Sequence, residues 1–98
     1  MNKKIIDFNE GEHISTNLLV TSLTKGTTNS GAPYLTLVLQ DNTKTIDAKM
    51  WDVKPEIEKQ LEVGKVFNFD FEVIKYRNVL QLKIIKVLPI IQAEIKKE

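Results

Sequence analysis

From Phe67 to Val73 the chain reads F-N-F-D-F-E-V, apolar and polar residues in strict alternation. Successive side chains of a β-strand point to opposite faces, so this stretch is a strand with one face buried. A slip of one residue would turn three phenylalanines to water, so its register is fixed by the pattern itself. The same period recurs twice upstream. In Tyr34–Gln40 the residues Leu35, Leu37 and Leu39 share a face, and in Thr45–Trp51 the residues Ile46, Ala48 and Met50 do. The opposite faces then carry Tyr34, Thr36, Val38 and Gln40, and Asp47, Lys49 and Trp51. Asp41–Lys44, D-N-T-K, reads as the turn between them.

One segment breaks the period. In D-V-K-P-E-I-E-K-Q-L-E-V-G-K, Pro55 suits a first helical turn, where its missing N–H would have no partner in any case. Glu56 and Glu58 sit near the positive end of the helix dipole. Ile57 and Leu61 are four apart and form one apolar stripe. Gly64 is suited to the left-handed position that stops a helix. A helix of two to three turns is expected here. A first strand is expected over about Ile14–Lys25, followed by a loop in K-G-T-T-N-S-G-A-P, Lys25–Pro33. A last strand runs through V-L-Q-L-K-I-I-K-V-L, with Leu80, Leu82 and Ile84 inward and Gln81 and Lys83 outward; K-Y-R-N, Lys75–Asn78, is the tight turn before it. The order is three strands, a short helix and two strands. That is the order of an all-β, five-stranded Greek-key OB-fold barrel with its helix between strands 3 and 4. An SH3-like barrel and an α+β sandwich are the competing architectures. The domain is expected to be single, with an ordered core over about 11–89 and a polar tail over about 90–98.

The chain has 98 residues, no cysteine and one histidine. That length suits one compact core. Without cysteine there is neither a disulfide framework nor a thiolate metal site, and the expected compartment is the cytoplasm. No apolar run approaches the roughly 20 residues of a membrane span, so no membrane partner is expected. His13 alone cannot build a histidine-cluster metal site. Ser15, Ser22 and Ser30 have no base beside them, and G-T-T-N-S-G lacks the lysine of a phosphate-binding loop. Asp41 and Asp52 read as turn and cap residues. No catalytic constellation and no cofactor site emerges. Net charge is +1, but residues 73–98 carry six Lys/Arg against two acids, which makes the C-terminal part the basic side.

The outward side of the central hairpin therefore holds Tyr34, Thr36, Lys49 and the only tryptophan, Trp51. In an OB barrel the face of strands 2 and 3, flanked by the loops between strands 1 and 2 and strands 4 and 5, takes oligonucleotides or oligosaccharides. Lys25 would flank this face on one side, and Lys75, Tyr76 and Arg77 on the other, with Lys83 outward nearby. Aromatic rings stack on bases of any identity, and lysine and arginine neutralise phosphates. Plainer readings stand beside this one. Trp51 can fill a barrel rim, Tyr34 can close a barrel edge, Lys49 can pair with Asp47 or Asp41, and Tyr76-Arg77 can be turn chemistry alone.

The residues Gly31, Tyr34, Leu35–Leu39, Gln40-Asp41, Ile46–Trp51, Tyr76-Arg77-Asn78 and Gln81-Leu82-Lys83 together resemble the N-terminal OB-fold of YhaM-type 3′–5′ exoribonucleases. The likeness spans about Gly11 to Pro89. More loosely, the chain is similar to the anticodon-binding OB domains of class II aminoacyl-tRNA synthetases. The resemblance implies a substrate-binding domain for single-stranded RNA, less so DNA. It also implies a separate catalytic HD domain in the parent enzyme, a hydrolase that needs a divalent metal. That domain would be a partner of this chain if the chain is part of a longer enzyme, and the chain could instead be a free-standing relative. Either way this chain is expected to bind and not to cleave. The alternative is a structural domain that forms a homo-oligomer or docks on its own catalytic part through Val38, Trp51 and Ile90-Ile91.

Overall fold

A computed structural model of the chain describes residues 4–89. The polar tail and the Ile90-Ile91 pair lie outside the described residues. Five strands follow one another as β1 (His13–Thr27), β2 (Pro33–Gln40), β3 (Thr45–Trp51), β4 (Val66–Tyr76) and β5 (Val79–Pro89), with α1 (Pro55–Gln60) between β3 and β4. They close into a barrel in the order β1-β2-β3-β5-β4. This is the expected five-stranded barrel, closed by a parallel β3–β5 contact that only three residue pairs make: Asp47–Gln81, Ala48–Leu82 and Lys49–Lys83.

β1 does double duty because it is long and bent. Its first half pairs with β4 from His13 to Leu19, and its second half with β2 from Leu19 to Thr27. The register shifts between Val20 and Ser22, a bulge that lets one strand belong to both sides of the barrel. β1 is two residues longer at its end than its composition suggested, so the loop to β2 shrinks to residues 28–32. Thr28 organises that loop: its hydroxyl accepts from the Ala32 N–H at 3.1 Å. A second bulge falls in β5, where Ile84 faces Phe71 and Lys86 faces Asp70. Ile85 is the extra residue and is exposed, and Val87 returns to the interior.

Strand parity holds along the whole of β2, β3 and β4. Leu35, Leu37 and Leu39 are buried, as are Ile46, Ala48 and Met50 opposite them. Phe69, Phe71, Val73 and Leu82 have no exposed surface at all. Phe67 and Phe69 meet edge-on at 6.2 Å between ring centroids. Burying a phenylalanine or leucine side chain contributes about 1.5–3 kcal/mol, so this inner layer dominates the stability of the domain.

Four local expectations change. The helix is shorter than expected and ends at Gln60, because Leu61 is already extended at ψ 135° and drops into the core. Gly64 does not cap it. Gly64 takes φ +91° in the turn before β4, and its N–H donates to the Val20 carbonyl at 2.8 Å. Asp52 is not a helix cap either: Lys54 occupies that position without a side-chain bond, while Asp52 turns the chain out of β3 at φ 55°. Finally, two residues ahead of the first strand join the core. Ile5 and Phe8 are buried, and Phe8 lies on Phe71 with ring centroids 5.4 Å apart. A 3-10 turn, Ile5–Asp7, brings them in.

Asp41 fastens that N-terminal arm. Its carboxylate accepts the Ile5 N–H at 2.8 Å, the Thr43 N–H at 2.7 Å and the Thr43 hydroxyl at 2.6 Å. Burial disfavours the charged form of Asp41. The Thr43 hydroxyl and the N–H groups of Ile5, Thr43 and Lys44 outweigh it and hold the carboxyl below its ordinary value.

Candidate nucleic-acid interface

The β2–β3 register sets the site. Tyr34 is opposite Trp51 and Thr36 is opposite Lys49. Opposed residues of an antiparallel pair share a face, so all four project from the barrel's outside. Trp51 is 42 % exposed, and among the described residues no other ring or cation covers its indole. Tyr34 is half-buried, with the Lys49 ammonium 5.3 Å from its ring centre. The same ammonium makes a long 3.5 Å contact to the Thr36 hydroxyl. Lys49 is thus held by Tyr34 and Thr36, in place of the pairing with Asp47 or Asp41 weighed from the sequence.

Tyr34 owes its position to a residue the sequence reading passed over. It sits opposite Gly26 on β1. A Cβ built on Gly26 would lie 2.4 Å from the Tyr34 ring carbon that bears the hydroxyl. The ring therefore lies directly on the glycine backbone, a common reason for glycine inside a strand.

The β4–β5 hairpin supplies the opposite wall. Its turn places Arg77 at φ 53° and Asn78 at φ 66°, the two left-handed residues of a tight two-residue hairpin, flanked by the Tyr76–Val79 pair. The Arg77 guanidinium lies 5.2 Å from the centre of the Tyr76 ring. Between this hairpin and the β2–β3 face runs a groove of about 330 Å³. Tyr34, Lys49 and Trp51 line it from β2 and β3, Ile74, Lys75 and Tyr76 from β4, and Gln81 from β5. Each non-glycine residue with positive φ among the described residues, Asp52, Arg77 and Asn78, directly follows one of these groove-lining aromatics or its neighbour. Backbone strain collects where the site's two walls end.

The structure thus brings together Tyr34, Lys49, Trp51, Lys75 and Tyr76, with Thr36 beside them. Arg77 stands at the hairpin tip on Tyr76. Lys83 is exposed and neighbours Lys49 across the β3–β5 contact, outside the groove lining. Lys25 is not brought to this face. It is opposite Leu35, in the inward set, and its ammonium pairs with Glu58 of α1 at 2.9 Å. Ile74 and Gln81 belong to the groove but were not singled out; their outward parity was legible, their approach to Trp51 was not.

On its other side Trp51 borders a second groove of about 410 Å³, where Lys54 and Ile57 of the β3–α1 segment face Ile85 and Lys86 of β5. Among the described residues no three His, Cys, Asp or Glu side chains gather as a metal site, and no helix is long and apolar enough to cross a membrane.

No family model matches the chain. Solved structures do. The second OB-fold domain of replication protein A from Methanococcus maripaludis superposes with a TM-score of 0.72 at 18 % identity, over 93 % of this chain and 96 % of that one. An OB domain from Thermoplasma acidophilum gives 0.71 at 16 % identity, covering 91 % and 86 %. A murine DNA-binding protein, solved bound to double-stranded DNA, gives 0.68 at 19 % identity, covering 91 % of this chain and 49 % of that one. At such identities the likeness speaks for the architecture alone, and the architecture is the OB-fold.

Proposed function

We propose that this chain is a single-stranded nucleic-acid-binding module that lays bases across Tyr34, Lys49 and Trp51 and phosphates along Lys75, Arg77 and Lys83. The observation that carries the reading is the groove itself. An open indole and a tyrosine share one concave surface with two ammonium groups. An aromatic platform contributes about 1–3 kcal/mol per stacked base. The fold neighbours named for replication protein A and for DNA binding add support for nucleic acid as the ligand class. RNA is favoured over DNA through the resemblance to YhaM-type exoribonucleases. In that reading the chain holds substrate for a catalytic HD domain and does not cleave RNA itself.

Titration of Trp51 fluorescence with oligo-U, oligo-A and their DNA counterparts tests this. Quenching that saturates in the micromolar range is expected. With two to four phosphates contacted, log Kobs should fall with log salt at a slope of about −1.4 to −2.8. An unchanged emission at high oligonucleotide concentration removes the proposal. Incubation of the pure chain with labelled RNA and Mn²⁺ should leave the RNA intact.

A second reading, a docking or oligomerisation domain, draws on Val66 and Leu88, exposed apolar residues on the outer face of β4 and β5. A dimer by light scattering that Val66→Lys or Leu88→Lys breaks, with Trp51 emission unmoved by oligonucleotide, would favour it over nucleic-acid binding.

A further inference from the structure

The groove between the β2–β3 face and the β4–β5 hairpin contains one polar group that stacking and phosphate binding leave unused. Gln81 projects into the lining half-buried, and among the described residues its carboxamide has no hydrogen-bond partner. Its strand neighbour Asp47 is exposed and does not line the groove. A base stacked on Trp51 presents its hydrogen-bonding edge in the plane of the ring, where a side-chain amide can meet it.

A carboxamide alone does not choose a base. It offers one acceptor oxygen beside two N–H donors. Turned one way, it accepts from the amine of adenine or cytosine and donates to the ring nitrogen. Turned the other way, it accepts the ring N–H of uracil, thymine or guanine and donates to the adjoining carbonyl. The second group in the lining breaks this symmetry. Lys49 carries three donors and no acceptor, and its only hydrogen-bond contact among the described residues is the long one to Thr36. A lysine ammonium takes base acceptors, as O6 and N7 of guanine, and at the 6-position beside the ring nitrogen that Gln81 reads only a carbonyl can accept from it. Lys75 adds a second donor-only group to the same lining. Adenine has no carbonyl to offer either of them. Uracil, thymine and guanine have one beside the ring N–H, and cytosine has one on the far side of its ring nitrogen.

Resting on the nucleic-acid reading above, we propose that this groove selects oxo bases over adenine, with Gln81 accepting the ring N–H and Lys49 donating to the neighbouring carbonyl, and with cytosine intermediate. The groove's volume of about 330 Å³ lies at the small end of ligand sites, room enough for one base.

The cleanest probe changes the edge and keeps the ring system. Hypoxanthine differs from adenine in bearing a carbonyl and a ring N–H where adenine has an amine and a bare nitrogen. Two single-stranded deoxyoligonucleotides of equal length, one of inosine and one of adenosine, are titrated into the chain and followed by Trp51 fluorescence. The inosine strand should bind roughly ten-fold tighter, toward the lower end of what one two-point contact discriminates. Gln81→Leu should bring the two affinities together, and Lys49→Met should do the same if the first variant does not fold. Equal affinities in the unmodified chain, tighter binding of the adenosine strand, or a preference that survives both substitutions overturns the base choice and leaves the nucleic-acid reading in place. If neither strand binds, both are overturned.

Discussion

Gly26→Ala separates the integrity of the barrel from the shape of its outer groove. The new methyl carbon would sit 2.4 Å from one Tyr34 ring carbon, 2.6 Å from its hydroxyl oxygen and 2.9 Å from a second ring carbon. Carbon atoms rest at about 3.5–4.0 Å, so the ring tip must lift by at least about 1 Å. The yielding atoms are the far end of a side chain and not backbone. An off-rotamer Tyr34 costs about 0.5–1.5 kcal/mol, while losing a strand glycine returns about 0.5–1 kcal/mol. Stability should therefore stay within about 1 kcal/mol of the parent in a urea melt. Binding should not. The ring rises into the groove and its stack, worth about 1–3 kcal/mol in place, is spoiled in part, which is about a five- to ten-fold loss of affinity for a single-stranded oligonucleotide. A double-mutant cycle with Tyr34→Ala isolates the cause. With the ring gone, Gly26→Ala should cost nothing further. An equal loss in the Tyr34→Ala background, or no loss in the parent, refutes the role given to this glycine.

Three further outcomes follow from the same geometry. Trp51→Ala should leave the thermal midpoint almost unchanged, since the indole is outside the core, yet weaken oligonucleotide binding by about ten-fold or more in a filter-binding or calorimetric titration. Phe8→Ala should lower stability by about 3–5 kcal/mol in urea, because it empties a buried site against Phe71. Asp41→Asn puts an amide N–H against the Ile5 N–H and should cost about 1–2 kcal/mol at pH 7. The folded-state value of Asp41 is depressed, so its contribution is full above the ordinary carboxylate range and fades as pH falls through that range and below it. Melts of parent and variant should accordingly draw together as pH is lowered through and below the carboxylate range.

The parity of the hairpin could be read from the sequence because period-two alternation is a local property. Leu35 and Met50, or Tyr34 and Trp51, fall on their faces whatever the strands pair with. The Arg77-Asn78 turn was legible for the same reason. What escaped reading depends on contacts between distant segments. Ile5 and Phe8 lie in a stretch without strand or helix period, and what holds them is distant in sequence: Asp41, 36 positions beyond Ile5, and the Phe71 ring under Phe8. Lys25 reads as a loop lysine until the β1–β2 register puts it opposite Leu35, beside Glu58. The helix end failed because Gly64 is a plausible stop, but burial of Leu61 stops the helix earlier. Gln81 reads as one polar residue of a half-exposed strand, and nothing local says that the β4–β5 hairpin walls the same groove as Trp51.

A domain with a net charge of +1 cannot rely on its overall field to gather a polyanion. Its cations must act at short range. The surface answers this by coupling them to π-surfaces, with Lys49 by Tyr34 in the groove and Arg77 on Tyr76 at the hairpin tip. Each pair is about 5 Å apart, within the reach of a cation–π contact, which is worth about 0.5–1 kcal/mol at exposed sites. The contact restrains a flexible basic side chain before a ligand arrives and reduces the rotamer entropy that binding would otherwise remove. Preorganisation of this kind makes affinity depend more on the two tyrosines than on the count of basic residues. Tyr34→Leu and Tyr76→Leu, which keep every charge, should each weaken binding more than Lys83→Ala, which removes one. If the lysine substitution proves the costlier in matched titrations at low salt, phosphate charge and not aromatic placement governs this surface.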